Sequence, residues 1–198
     1  MVTIIIKLLV SISLWRYGRP RIIDRTGKRP YIVRYYLIGC DPETGKGSKE
    51  PRWYDRWFTE LFLQHFQRSD DTHQLHNHPW RWGASVILRG GYIEERRAAC
   101  PWRYLTLNGV SREFYRIASR HVRWYNFLQH ATFHRVDLYA GETWTLFLAG
   151  PKIQDWGFWD RSTGKYTPHE HMEDDDESRE DENDAGPPPG RGPFHGAA

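Results

Sequence analysis

Strand-forming residues fall along the chain in short runs: Tyr31 to Ile38, Ala84 to Leu88, Phe133 to Leu138 and Thr143 to Leu148. Turn-forming residues separate them, at Thr26-Gly27, Asp41-Pro42-Glu43-Thr44-Gly45, Gly90-Gly91, Asn108-Gly109, Ala140-Gly141 and Gly150-Pro151. Such runs, closed at such intervals, predict a many-stranded β protein rather than a helical one. A helical period surfaces over Tyr54 to Phe66, where Trp57, Leu61 and His65 would share a face. That segment reads equally well as two short strands.

Both ends depart from this pattern. Met1 to Trp15 is apolar apart from Lys7 and falls short of the roughly 20 residues that cross a bilayer. It has neither a basic start nor a small-residue cleavage site, so no signal peptide is read. Ile4, Ile5, Ile6 and Val10 are β-branched, and the expectation is a β lead-in over residues 1–30. From Met172 onward, acids give way to Gly186-Pro187-Pro188-Pro189-Gly190, a tail expected to be disordered because it has almost nothing to bury. Residues 31–171 are left as the one folded domain, a size that suits a single core.

Composition adds an asymmetry of charge. Residues 1–171 carry 26 Lys and Arg against 16 Asp and Glu, and residues 172–198 carry two Arg against nine acids. No stripe of Lys and Arg at helical spacing supports nucleic-acid binding, so a solvated body with a solubilising tail is the reading. Cys40 and Cys100 make no disulfide framework and no metal-ligand pair, which fits a reducing, cytoplasmic setting.

The ten histidines carry the chemical information. His76-Asn77-His78 places two imidazoles at i and i+2, on one face if the segment is extended, with Asn77 turned away. For a lone pair of this kind, ordinary surface or core histidines would be the explanation. His134, however, heads the row His134, Val136, Leu138, an alternation that points into a barrel and offers a third imidazole. Three such nitrogens, each about 2.0 to 2.1 Å from an ion, make a metal site. His73, His121 and His130 are reserves, His130 being four residues before His134. His65 and His195 carry less weight, as does His169-Glu170-His171, which borders the tail. Of Trp80, Trp82, Trp144 and Trp156, core packing is the expected role for most. Trp80 and Trp82 are the candidates for a pocket mouth, with Tyr92 and His130.

Asp70 to Trp80 followed by Ser85 to Glu94, then His134 to Leu138 and Trp156 to Trp159, resembles the two halves of a cupin core, and most nearly the small cupin-like proteins of bacteriophages and prophages. The resemblance spans Tyr31 to Trp159. It implies a cupin-type antiparallel β-barrel, a jelly roll, with His76 and His78 as the first two metal ligands and His134 as the last. The glutamate usual between them falls at Gly83 or Ala84 and is missing. A three-histidine site, a carboxylate from another strand and a degenerate site remain open. Glu94 and Glu95 are the substitutes: a two-residue hairpin turn at Gly90-Gly91 would put Glu95 inside, a bulge would put Glu94 inside, and the spacing Gly-Gly-Tyr-x-Glu selects Glu94.

With Fe(II) such a site suits an oxygenase acting on a small molecule or modified base; with Zn(II), Mn(II) or Ni(II) it suits Lewis-acid isomerisation or hydrolysis. The alternative is a non-catalytic cupin module for binding or assembly, since one barrel hosts many functions. The resemblance also implies pairing of two chains through their sheets and, for a phage protein, work in the host cytoplasm. Other catalytic sets are missing: Ser85 and Ser119 lack a helper His and Asp, Cys100-Pro101 shows no activated thiol, and Gly45-Lys46-Gly47-Ser48 is no phosphate loop.

Overall fold

The computed structural model describes residues 1–23, 30–39, 53–70, 74–107, 110–139 and 141–169, with 99–107 and 110–114 as backbone alone. Helix α1 (Val2–Tyr17) precedes β1 (Arg21–Ile23), β2 (Ile32–Ile38), β3 (Glu60–Phe66), β4 (Leu75–His76), β5 (Trp82–Arg89), β6 (Tyr92–Leu107), β7 (Val110–Val122), β8 (Tyr125–Gln129), β9 (His134–Leu138), β10 (Thr143–Ala149), β11 (Gly157–Trp159) and β12 (Tyr166–Pro168). The strands form two antiparallel sheets, β1-β2-β3-β10-β5-β8 and β12-β11-β4-β9-β6-β7.

The pairing is nested. The central hairpin joins β6 to β7; outside it β5 meets β8, β4 meets β9, and β3 meets β10. A ribbon of paired strands rolled in this way, alternate pairs falling in opposite sheets, is a jelly roll. The expected mainly β, jelly-roll architecture is therefore what the chain adopts.

Alternation decides which side chains face the interior. β10 alternates buried and half-buried residues throughout, and β8 alternates exposed and buried. The buried rows form two apolar clusters, Tyr31, Ile32, Phe66, Ile87, Tyr92, Val122 and Val136 at one end, and Tyr36, Phe62, Trp80, Leu128, Phe147 and Ala149 at the other. Between them an inward row of polar residues, Arg34, Gln64 and Thr145, runs across β2, β3 and β10.

Three expectations are corrected. Val2–Tyr17 is a helix rather than a β lead-in; among the described residues of 1–30 only β1 is a strand, extending the first sheet beside β2. The β-branched side chains cost a helix only a few tenths of a kcal/mol each. Ile6, Val10, Ser13 and Tyr17 recur at helical spacing, Ile6 and Ser13 are buried, and Tyr17 packs against the second apolar cluster, so burial outweighs propensity. The helical reading of Tyr54 to Phe66 gives way to a turn followed by β3, which pairs on both edges. Gly90-Gly91 is not a hairpin turn, because β5 and β6 lie in different sheets. It is the corner between them: Gly90 sits at φ 83° with Glu142 O and Thr143 Oγ1 each 2.6 Å from where a Cβ would stand. Thr143 Oγ1 donates to Gly91 O and accepts from Gly91 N–H, both at 3.0 Å.

Candidate metal centre

In the second sheet, Phe158 stands opposite His76, His76 opposite His134, and His134 opposite Arg96. Residues directly across an antiparallel pair project to the same face. His76 and His134, 8% and 4% exposed, therefore meet inside the barrel. Asn77 is turned to β11, where its Oδ1 accepts Gly157 N–H at 2.8 Å and its own N–H donates to Gly157 O at 3.1 Å. The chain then brings His78 back inward past the end of β4, its carbonyl held by Gln154 Nε2 at 3.0 Å. One ligand nitrogen from each of His76, His78 and His134 lies within 4.8 Å of the others. His78 Nε2 and His134 Nε2 are 2.9 Å apart. Two nitrogens about 2.05 Å from one ion are about 2.9 Å apart at a right angle and about 3.4 Å apart at a tetrahedral one. The observed 2.9 Å is the length of a direct hydrogen bond between the two ring nitrogens, and it leaves both close enough to reach one ion.

Behind His134 lies Glu94, fully buried. Its Oε1 accepts His134 Nδ1–H at 2.7 Å and Asn126 Nδ2–H at 2.9 Å; its Oε2 accepts Arg96 Nε–H at 2.9 Å and Arg120 Nε–H at 2.7 Å. Burial opposes ionisation of this carboxyl, but the hydrogen bonds from His134, Arg96 and Asn126 outweigh it and hold Glu94 far below the usual carboxylate range. An ionised Glu94 fixes the Nδ1–H tautomer of His134, which aims the Nε2 lone pair at His78. Asn126 completes the network, accepting from Arg96 Nη2 at 2.7 Å and from Arg120, and donating to Tyr92 OH at 3.0 Å. Burial, then Glu94, pushes the Tyr92 hydroxyl up to about 12, so it stays protonated.

His76 has a carboxylate on the same side of its ring, with Nδ1 3.9 Å from Asp70 Oδ2, an oxygen that also accepts Val136 N–H at 2.8 Å. Burial, then the neighbouring His134, His76 and Arg34, drives His78 well below the usual imidazole range, so it is neutral at pH 7. A neutral imidazole is the form that binds a metal. The three imidazoles bring no negative charge to the site, and Glu94 is already matched by Arg96 and Arg120.

Glu94 is inside the barrel, as the spacing after the glycines suggested, but it stands behind His134 and not beside it. Both its oxygens are committed, and the three histidines alone form the ligand group among the described residues. Glu95 faces outward and pairs with Arg135 at 3.6 Å and with Arg161. At Gly83, where the resemblance would place a glutamate, a Cβ would lie 2.6 Å from the Phe147 ring, which fills that space. Trp80 is 5% exposed and stacks on His78 at 5.3 Å between ring centres. Trp82 is corrected: alternation along β5 turns it to the outer face, where it stacks on Phe127. Tyr92 belongs to the apolar cluster behind Glu94. His130 is also corrected, because β8 ends at Gln129 and His130 lies exposed in the turn before β9. His121 bonds Tyr139 on the outside; His65 stacks on Trp144 and meets Glu142 Oε2 at 2.7 Å; His169 lies against Trp156, tilted by 30°. His73, His171, His195 and the acidic tail lie outside the described residues. Sequence reasoning passed over Arg96, Arg120 and Asn126; Tyr92, Glu94 and Arg96, at alternate positions of one strand, were the available signal for the first.

The sequence matches no protein-family model and no curated protein. Its fold is similar to solved cupin-fold structures. The oxalate decarboxylase of Bacillus subtilis, described with Mn(II) centres, is 12% identical, matching 69% of this chain and 29% of that one with a TM-score of 0.39. The oxalate decarboxylase of Lactobacillus farciminis is 8% identical over 70% of this chain and 32% of that one, TM-score 0.40. Fe(II)-HppE with an alternative substrate is 8% identical over 67% and 57%, TM-score 0.39. The chain thus spans about three-tenths of the length of the oxalate decarboxylases it matches. The jelly-roll assignment rests on the strand order itself. No described helix is long and apolar enough to cross a membrane.

Proposed function

We propose that His76, His78 and His134 hold one divalent metal ion, Fe(II) foremost, and that the protein is a metal-dependent enzyme acting on a small molecule, with oxygenase chemistry. The observation that supports this reading most directly is the Glu94–His134–His78 line. A buried carboxylate bonds the Nδ1 of one histidine at 2.7 Å, and the Nε2 of that histidine lies 2.9 Å from the Nε2 of the next. Metal-binding histidines are oriented in this way by carboxylates behind them. Fe(II) held by three neutral imidazoles keeps its charge and open positions and supplies redox chemistry with dioxygen. Glu94 holds the proton on Nδ1 of His134, and Trp80 walls one side of His78 against water.

The test is metal content by plasma mass spectrometry, on protein purified without chelator and on His76→Ala, His78→Ala and His134→Ala. About one metal per chain, lost in each variant, is the expected outcome. No metal even after anaerobic reconstitution with Fe(II) would overturn the reading and leave a barrel used for binding or assembly.

A further inference from the structure

Helix α1 carries apolar residues on every side, but the first sheet covers only one of them. The helix lies against β2, with β3 and β5 also in reach. At about 100° per residue, Ile6, Ser13 and Tyr17 fall together on the side turned to the sheet, and Ile6 and Ser13 are buried there. The opposite side carries Ile4, Leu8, Ile12 and Trp15, spaced by four, four and three residues, with Ile5 beside them. Ile4 is 71% exposed, Leu8 59% and Trp15 87%. A helix that is hydrophobic all round is ordinarily enclosed, and a contiguous exposed apolar patch marks contact with another protein or with a membrane.

Charge decides between the two. The outward apolar arc spans about 100°, from Ile4 to Ile5, and Lys7 borders it on one side and Arg16 on the other. Both cations are exposed. Arg19 and Arg21 follow the helix, and residues 1–23 include no acid. Pairing with a second copy of this helix would set cations against cations along its flanks, with no carboxylate on the helix to match them, and like charges so placed are destabilising. An anionic lipid surface is complementary. The apolar arc enters the boundary between headgroups and acyl chains, while the lysine and arginine beside it reach back to lipid phosphates. Trp15, in the last turn, is of the type enriched at that boundary. At 16 residues the helix is too short to span a bilayer, so it would lie along the surface.

We propose that α1 is an interfacial anchor that docks the barrel on an anionic membrane surface, with Ile4, Leu8, Ile12 and Trp15 in the lipid and Lys7 and Arg16 at the headgroups.

The experiment is co-sedimentation of the full chain with vesicles of phosphatidylcholine, alone and mixed with phosphatidylserine. It uses the wild type, Ile4→Gln with Leu8→Gln, Trp15→Ala, and Lys7→Gln with Arg16→Gln, each with circular dichroism, Tm and sedimentation velocity measured alongside. The wild type should pellet with the mixed vesicles and far less with phosphatidylcholine alone. Removing Ile4 and Leu8 should weaken binding roughly ten- to hundredfold, and Trp15→Ala should weaken it in the same direction. Removing the two cations should weaken it roughly ten- to thirtyfold, and raising NaCl from about 0.1 M to about 0.5 M should weaken the wild type. No pelleting with the mixed vesicles, equal pelleting with neutral ones, or binding indifferent to Ile4, Leu8 and Trp15 would each overturn the proposal. So would a wild-type dimer that Ile4→Gln with Leu8→Gln turns into a monomer, because a second copy would then be what covers the helix.

Discussion

Changing Glu94 to Gln tests whether the buried carboxylate organises the site. The amide keeps the size of the side chain but loses its charge and must turn an NH2 group toward a donor, His134 on one side or the two arginines on the other. Removing one partner of a buried ion pair costs about 3–5 kcal/mol. The Arg96 and Arg120 side chains are 24% and 44% exposed and recover some hydration. The expected cost is therefore nearer about 2–3 kcal/mol of stability. Losing the carboxylate behind His134 should also weaken metal binding about 10- to 100-fold. Urea unfolding of the metal-free protein gives the first quantity and competition against a chromophoric chelator at pH 7 the second. The pH dependence has a definite sign. Folding depresses the Glu94 pKa from its ordinary 4.5, so its stabilisation is complete above that pH and is lost as the pH falls toward the folded value. The gap between wild type and Glu94→Gln should accordingly be constant from pH 8 to about pH 5 and narrow on acidification. A variant as stable as the wild type, with unchanged metal affinity, would refute the role given to Glu94.

Gly83→Glu restores the residue type of the cupin pattern but drives a side chain into the Phe147 ring. It should lower Tm by several degrees without raising metal affinity, and Gly83→Glu with Phe147→Ala should recover part of the loss, read by thermal melts and chelator competition. Gly90→Ala places a Cβ against Glu142 and Thr143 at a positive φ and should cost about 1–3 kcal/mol in urea unfolding, since the corner cannot move without breaking the Gly91–Thr143 bonds. Trp82→Ala should leave metal affinity unchanged, whereas Trp80→Ala should cost about 3–5 kcal/mol and loosen His78.

What the sequence disclosed follows from the reach of local patterns. His76 and His78 could be read as partners because two residues of extended chain fix their common face, and His134 because Val136 and Leu138 continue its row inward. The roll of the sheets could not be read, since it depends on pairings such as Glu60 with Ala149, for which neither strand carries a local mark. That is also why Gly90-Gly91 passed for a hairpin. Helix α1 escaped because its apolar residues surround it, and only contact with the first sheet decides which face is buried. Arg34 looks like any outward charge on a short strand until Phe62 and Trp80 are brought beneath it.

The nested pairing also sets an order of assembly. β6 and β7 are neighbours in the chain and can zip together as soon as both exist, whereas Glu60 of β3 must wait for Ala149 of β10, 89 positions later. Long-range pairing of this kind makes folding slow, on the order of milliseconds to seconds, because loop-closure entropy is lost before contacts repay it. During synthesis β3 emerges with one edge unclaimed until almost the whole barrel has left the ribosome. His134 likewise meets His76 only when β9 closes on β4, so the three imidazoles converge late, and a chain ending before Thr143 would present an open sheet edge prone to aggregation.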